Sequence, residues 1–303
     1  MTGVQTCALP IYFASLKNTS NLDKLTKAIE QLNSNAANQD DNDGNFWRPE
    51  VDKSGNGYAV IRFLPAPAVD GDEALPWAKI YTHGFEGPGG WYIENSLTSL
   101  NQNDPVSEYN SELWNSGIDA NKDIARKQKR RLTYISNVLI VEDPKHPENN
   151  GQIKLFKYGK KIFEKITDAM NPPPEFGESP INPFDLWKGA NFKLKIRKLD
   201  GFQNYDKSEF DASSALYDGD DAKLEELWKS EYSLKEFLNP KHFKSYDELK
   251  ARLNKVLSVA TSTVKAATVE TAKPAPAVQE PSIEPSLEED EDMAMFNSLA
   301  NDI

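Results

Sequence analysis

The chain has 303 residues, 27% of them charged, a formal net charge of -12 and a sequence pI of about 4.9. It holds one cysteine, Cys7, which excludes an intrachain disulfide framework and a Cys-rich metal knuckle. No segment approaches the ~18 uninterrupted apolar residues of a membrane helix, so a soluble protein of a reducing compartment is expected.

The opening MTGVQTCALPIYF carries an apolar run from Cys7 to Phe13. No Lys or Arg precedes Lys17, Pro10 interrupts the run, and no small-x-small cleavage site follows, so it does not read as a secretory signal. Residues 19–33 place Leu22, Leu25, Ile29 and Leu32 on one helical face, with Thr19 or Ser20 as N-cap. The polar stretch NSNAANQDDNDGN then reads as a linker.

A compact domain is expected from Phe46. GNGYAVIRFLP reads as a turn and an apolar strand; PWAKIYTHGF and GWYIEN flank the turn EGPGG as a hairpin. RLTYISNVLIVEDP is a strand ending in a Pro turn, and IKLFKYGKKIFEKITDAM a strand continuing into a helix stopped by Pro172–Pro174. In NFKLKIRKL, Phe192, Leu194 and Ile196 face one way and Lys193, Lys195 and Arg197 the other. AKLEELWKS and SYDELKARLNKVL read as helices. From about Val259 the composition turns to Ala, Thr, Pro and acid, too poor in apolar area to order itself, with an apolar tip MAMFNSLANDI suited to docking.

Charge is distributed unevenly. The tail from Glu270 carries nine acids and one base, a net -8, leaving -4 for the rest; residues 121–165 are net +7. Residues 187–198 hold five bases and no acid. The mean acidity therefore conceals a basic surface.

Catalytic patterns are absent: no nucleophile elbow, no phosphate-binding glycine loop, no paired-His zinc motif. His146 and His242 read as loop residues, and the Asp-rich QDDND and YDGDDA lack calcium-loop spacing. Basic residues interleaved with aromatics are the stronger pattern. KDIARKQKRRLTY sets Lys129, Arg130 and Arg131 before Tyr134; LFKYGKK interleaves Phe156 and Tyr158 with Lys157 and other lysines; GFQNY puts Phe202 and Tyr205 after the cationic strand. Cations track phosphates and exposed rings stack on unpaired bases, the demands of a single-strand groove. The rings read equally well as core and the cations as a solvated face; pattern alone leaves both readings open.

NGYAVIRFLP, HGF…GWYIE, KRRLTY…NVLIVEDP…PEN, GKKIFEKI, GANFKLKI, GFQNYD and FKSYDEL, in this order, with an acidic C-terminus, resemble the T4-type bacteriophage single-stranded DNA-binding (helix-destabilising) protein family. The resemblance covers about residues 15–258. It implies an α+β, mainly β, OB-fold core over 46–258 with an accessory subdomain at about 76–120. It also implies an arm at 12–45 for cooperative contact between neighbours and a disordered acidic tail at 259–303 for partners. The family function is to coat single-stranded DNA without strong sequence preference during phage replication, recombination and repair, without catalysis, in the cytoplasm of an infected bacterium.

By position the resemblance assigns DNA contact to Arg62, Trp91, Lys129, Arg130, Arg131, Tyr134, Phe156, Lys157, Phe202 and Tyr205. Trp114, where the family has tyrosine, joins them. It assigns cooperativity to Lys17, Asn18, Thr19 and Ser20, and partner binding to Glu288, Glu289, Asp290, Glu291, Asp292, Phe296 and Leu299. The family zinc is held by one His and three Cys. His83 matches the His, but Ser96, Asp104 and Ser107 stand at the Cys positions, so no metal is expected, and packing by Trp77, Tyr92, Leu97 and Leu113 is expected to hold the subdomain instead. Residues 1–11 match nothing in the family and read as a non-native leader. The rival readings are an acidic-tailed interaction scaffold of the replication machinery with no direct DNA binding, and a metal-dependent nuclease.

Overall fold

The computed structural model describes residues 44–199 and 201–258. The expectations for the leader, for the arm with Lys17–Ser20 and for the acidic tail lie outside the described residues. Within them the chain is an α+β protein built on one sheet.

The spine is β5 (Arg131–Glu142), twelve residues rich in β-branched and aromatic side chains. One edge pairs with β6 (Ile153–Tyr158). The other edge is shared: its first half pairs antiparallel with β3 (Ala78–Gly87), its second half with β2 (Gly57–Phe63). β3 turns at Pro88–Gly89 into β4 (Gly90–Asn95), the hairpin expected from EGPGG. β1 (Phe46–Trp47) adds to β6 in parallel. β2 also pairs with β7 (Phe192–Leu199), which carries the short β8 (Phe202–Asn204) and β9 (Glu209–Phe210).

Residues paired across strands share a face of the sheet and successive residues alternate. Tyr134, Tyr158 and Lys79 therefore lie on one face, and Ile135, Lys157 and Ala78 on the other. The first face carries the main core, an aromatic cluster of Trp47, Phe63, Tyr134, Phe156, Tyr158 and Phe192. The first of the helices to matter here packs on it through Ile162, Phe163, Ile166 and Met170. Numbered in chain order, the helices are α1 (Pro105–Asn115), α2 (Asp119–Lys127), α3 (Lys160–Met170, the one just described), α4 (Asp221–Lys229) and α5 (Tyr246–Val256). The opposite face buries Ala78, Ile80, Ile135 and Leu155 under Leu234 and Phe237, and Leu139 with Leu64 under α4.

A separate apolar cluster forms where the β3–β4 hairpin meets α1 and α5: Phe85, Tyr92, Leu97, Val106, Leu249, Leu253 and Val256. Tyr92 and Leu97 take the expected places, whereas Trp77 belongs to the main core, against Phe163 and Phe184. α5 starts at a capping box made by Ser245 and Glu248. Its end touches the hairpin turn so closely that a Cβ at Gly89 would lie 2.0 Å from Lys255 O, which makes glycine obligatory there. Gly89 N–H donates to Val256 O at 2.8 Å.

Candidate nucleic-acid interface

Rings and cations meet at several places. On β3 the alternation Lys79, Tyr81, His83 puts all three side chains on one face. The Arg130 guanidinium lies 4.2 Å from the Tyr81 ring centroid and Lys79 Nζ 5.3 Å from the same ring. Burial, helped by the charge of Arg130, pulls the Lys79 ammonium down to about 8. Lys79 and Tyr81 were not foreseen from the sequence, although their two-residue spacing in AKIYTHGF was the available signal. Arg131 follows on the other face of the sheet, and its guanidinium donates to Gly84 O at 3.3 Å. Lys129 is exposed just before it.

The β7–β8 hairpin is the second place. Phe202 is 39% exposed and pairs with exposed Leu199; Arg197 and Lys198, both exposed, pair with Asn204 and Gln203. No ion pair to Arg197 or Lys198 occurs among the described residues. Tyr205 is half-buried against the main core, and its hydroxyl donates to Gln203 Oε1 at 2.9 Å. Its neighbour Asp206 meets α3, accepting from Lys165 through its carbonyl at 3.1 Å and lying 4.0 Å from Lys161. Elsewhere Lys157 Nζ sits 4.6 Å from the Phe46 ring on the other face of the sheet, Arg126 lies 5.4 Å from the half-buried Trp114 ring, and half-buried Trp91 pairs with Glu86 in the hairpin.

Three expected contact residues are elsewhere. Arg62 is 0% exposed: its Nη2 donates to the carbonyls of Asp185 and Ser214 at 2.8 and 2.9 Å. It tethers the loops before β7 and before α4; burial lowers its guanidinium to about 10, against the opposing charge of Asp185, so it stays cationic at neutral pH. Tyr134 is 4% exposed and stacks on Phe163 at 3.9 Å, and Phe156 is 3% exposed among Trp47, Phe63 and Tyr158. Both lie on the face that α3 covers, a partner that the local alternation of β5 and β6 does not announce. The cationic face of β7 is also partly neutralised. β9 and the residue after it bring Glu209 to Lys195 at 2.6 Å and Asp211 to Lys193 at 2.7 Å.

The four positions matching the family zinc ligands form a plug around Asp104, in which the buried His83 Nε2 and Ser107 Oγ make no hydrogen bond among the described residues. Asp104 caps α1, accepting from the Val106 and Ser107 N–H groups at 3.0 Å and from Leu97 N–H at 3.0 Å. His83 Nε2 lies 3.1 Å from Asp104 Oδ1, and Nδ1 lies 3.2 Å from Gln128 O. Burial alone would raise the Asp104 carboxyl, but the His83 ring and the backbone N–H groups pull it down to about 2. Ser96 Oγ bonds Thr98 Oγ1 at 2.9 Å. One imidazole, one carboxylate already committed to three N–H groups, and two hydroxyls do not fit a structural zinc, which wants thiolate or imidazole in a tetrahedron. Among the described residues no three His, Cys, Asp or Glu side chains converge as a metal site. His146 and His242 sit in surface loops beside Glu50 and Glu148, and beside Glu236. No helix of the described residues is long and apolar enough to cross a membrane.

Residues 55–257 match the model of a family described as gp32 DNA binding protein like. The chain is 37% identical over 250 residues to the single-stranded DNA-binding protein of Enterobacteria phage T2, covering 81% of this chain and 80% of that one. The single-stranded DNA-binding protein of Enterobacteria phage T4 matches with the same identity and coverage.

Proposed function

The chain belongs to the family described as gp32 DNA binding protein like, and from that premise we propose that its two ring-and-cation surfaces are where it binds single-stranded DNA. The observation that carries this is the β7–β8 hairpin. A solvent-facing phenyl ring, Phe202, shares a face of the hairpin with Arg197, and Lys198 stands on the other face; neither cation is matched by an acid among the described residues. Phosphates neutralised by such cations release counterions, and a ring open to solvent stacks on an unpaired base of any sequence. A duplex keeps its bases out of reach of such a ring. Binding therefore draws melting equilibria towards single strands by mass action.

The finer reading follows the family resemblance. The sheet core is of OB type, coats the strand in phage replication, recombination and repair, and acts without catalysis in the cytoplasm of the infected bacterium. Residues 12–45, with Lys17–Ser20, contact the neighbouring protomer, and the acidic tail recruits replication and recombination proteins. The accessory subdomain stands without zinc; what supports this is the His83–Asp104 plug and the lack of any thiolate in it.

Titrating the full chain with poly(dT) tests the reading. Quenching of Trp and Tyr emission, reversed by salt, is expected. A chain that shows no quenching at low salt is a scaffold, and one that shortens the strand when magnesium is added is a nuclease; either result overturns the assignment.

A further inference from the structure

Lys79 differs from the chain's other lysines. Lys193 and Lys195 are half-buried and Lys229 and Lys244 exposed, and they face Asp211, Glu209, Glu225 and Glu94. Lys79 is 5% exposed, and no carboxylate among the described residues pairs with it. Among the described residues, the side chains facing it are Tyr81 on its own strand, Tyr134 across on β5 with Tyr158 beyond in the same rung, and Arg130. The one charge in that set has its own sign. Burying a cation beside another cation costs stability, and an apolar side chain would fill a mid-strand position on a core face without that cost. Lys79 Nζ is nevertheless not among the sealed, unpartnered polar atoms, a group that includes Arg62 Nε. The residue is buried, its ammonium nitrogen is not sealed off, and a guanidinium is held over the same ring.

We propose that Lys79, Arg130 and the Tyr81 ring form a phosphate subsite of the single-strand groove, in which one backbone phosphate bridges the two cations. The inference rests on the single-strand reading above. The guanidinium fork supplies bidentate contact and the ammonium a point charge, the two complementary modes by which arginine and lysine hold phosphate. An anion between them turns the repulsion into attraction and offsets the burial of Lys79. Proton linkage follows from the lysine's depressed basicity, about 8. Below that pH it already carries its proton; above it, phosphate binding must draw a proton in, so affinity falls as pH rises through about 8 to 9.

The test is titration of the full chain with oligo(dT) across a salt series, near pH 7 and near pH 9. Lys79→Met keeps the apolar stem and removes the charge. It should bind ~3- to 20-fold more weakly at low salt, lower the salt slope by about 0.7, the share of one phosphate on a single strand, and lose the alkaline fall in affinity. Lys79→Arg should keep the slope. Arg130→Gln supplies an independent arm should Lys79→Met fail to fold: it should lower the slope too, and in the double variant the two losses should not add, because they share one phosphate. An unchanged slope and pH profile in Lys79→Met, or strict additivity with Arg130→Gln, overturns the subsite. A wild-type chain that does not bind oligo(dT) at any salt overturns the single-strand reading itself, a result distinct from either.

Discussion

Replacing Arg62 by methionine removes the donors to two main-chain carbonyls, in bonds that are partly buried. The expected loss is ~2–4 kcal/mol of stability, read from the urea midpoint, with the salt slope of DNA binding unchanged. Aromatic positions should separate the same way. Phe202→Ala is expected to leave stability within about 0.5 kcal/mol and to weaken oligo(dT) binding by ~1–3 kcal/mol. Tyr134→Ala should cost ~3–5 kcal/mol of stability, because its ring is stacked inside the core. Paired melting and fluorescence titrations of the two variants check this, and a Tyr134→Ala protein of native stability would contradict the assignment. What the sequence made legible at this scale was residue type: a cation before Tyr134, a ring after the basic strand. It did not carry exposure. Whether α3 covers Tyr134 or leaves it open depends on a contact with Phe163, 29 positions away in the chain. For the same reason the acids that β9 returns to Lys193 and Lys195 were out of sight, since the two strands meet only after the chain has turned back.

The regular elements were largely legible, because their periodicity is a local property. β2, the β3–β4 hairpin, β5, β7 with its alternating faces, and helices α3, α4 and α5 stand where the pattern puts them. The α1–α2 pair was not foreseen. α1 buries only Pro105 and Val106, so it lacks a broad apolar stripe, and its start is fixed by Asp104 and the following proline instead. Asp104 therefore serves two elements at once, capping α1 and lying 3.1 Å from the His83 ring on β3. Asp104→Ala should cost about 2–4 kcal/mol, seen as a lower melting temperature. The carboxyl is depressed in the folded state, so its contribution is complete above the unfolded value of about 3.9 and is lost as pH falls towards about 2. Acid unfolding should thus steepen in that window in the parent chain and flatten in the variant. A chelator should leave the parent's melting temperature where it was; a drop would place a metal in the plug.

Across the whole molecule, charge is segregated rather than balanced. The tail from Glu270 carries -8 of the total -12, so a described body that is far less acidic is joined to a strongly anionic strand of its own. Such a segment is expected to compete with DNA for the body's cations. Removing residues 270–303 should tighten oligo(dT) binding and reduce its dependence on salt; equal affinity with and without the tail would exclude the competition. The order of synthesis is constrained by another feature, the seat of α5. The apolar cluster of the β3–β4 hairpin is completed by Leu249, Leu253 and Val256, supplied by the last described helix. A ribosome that has released Phe85, Tyr92 and Val106 must therefore translate about 150 further codons, from Val106 to Val256, before the lid for them is complete. Until then the nascent hairpin is a sticky surface, and a message truncated ahead of Tyr246 would yield a polypeptide that clumps rather than one that merely lacks an end.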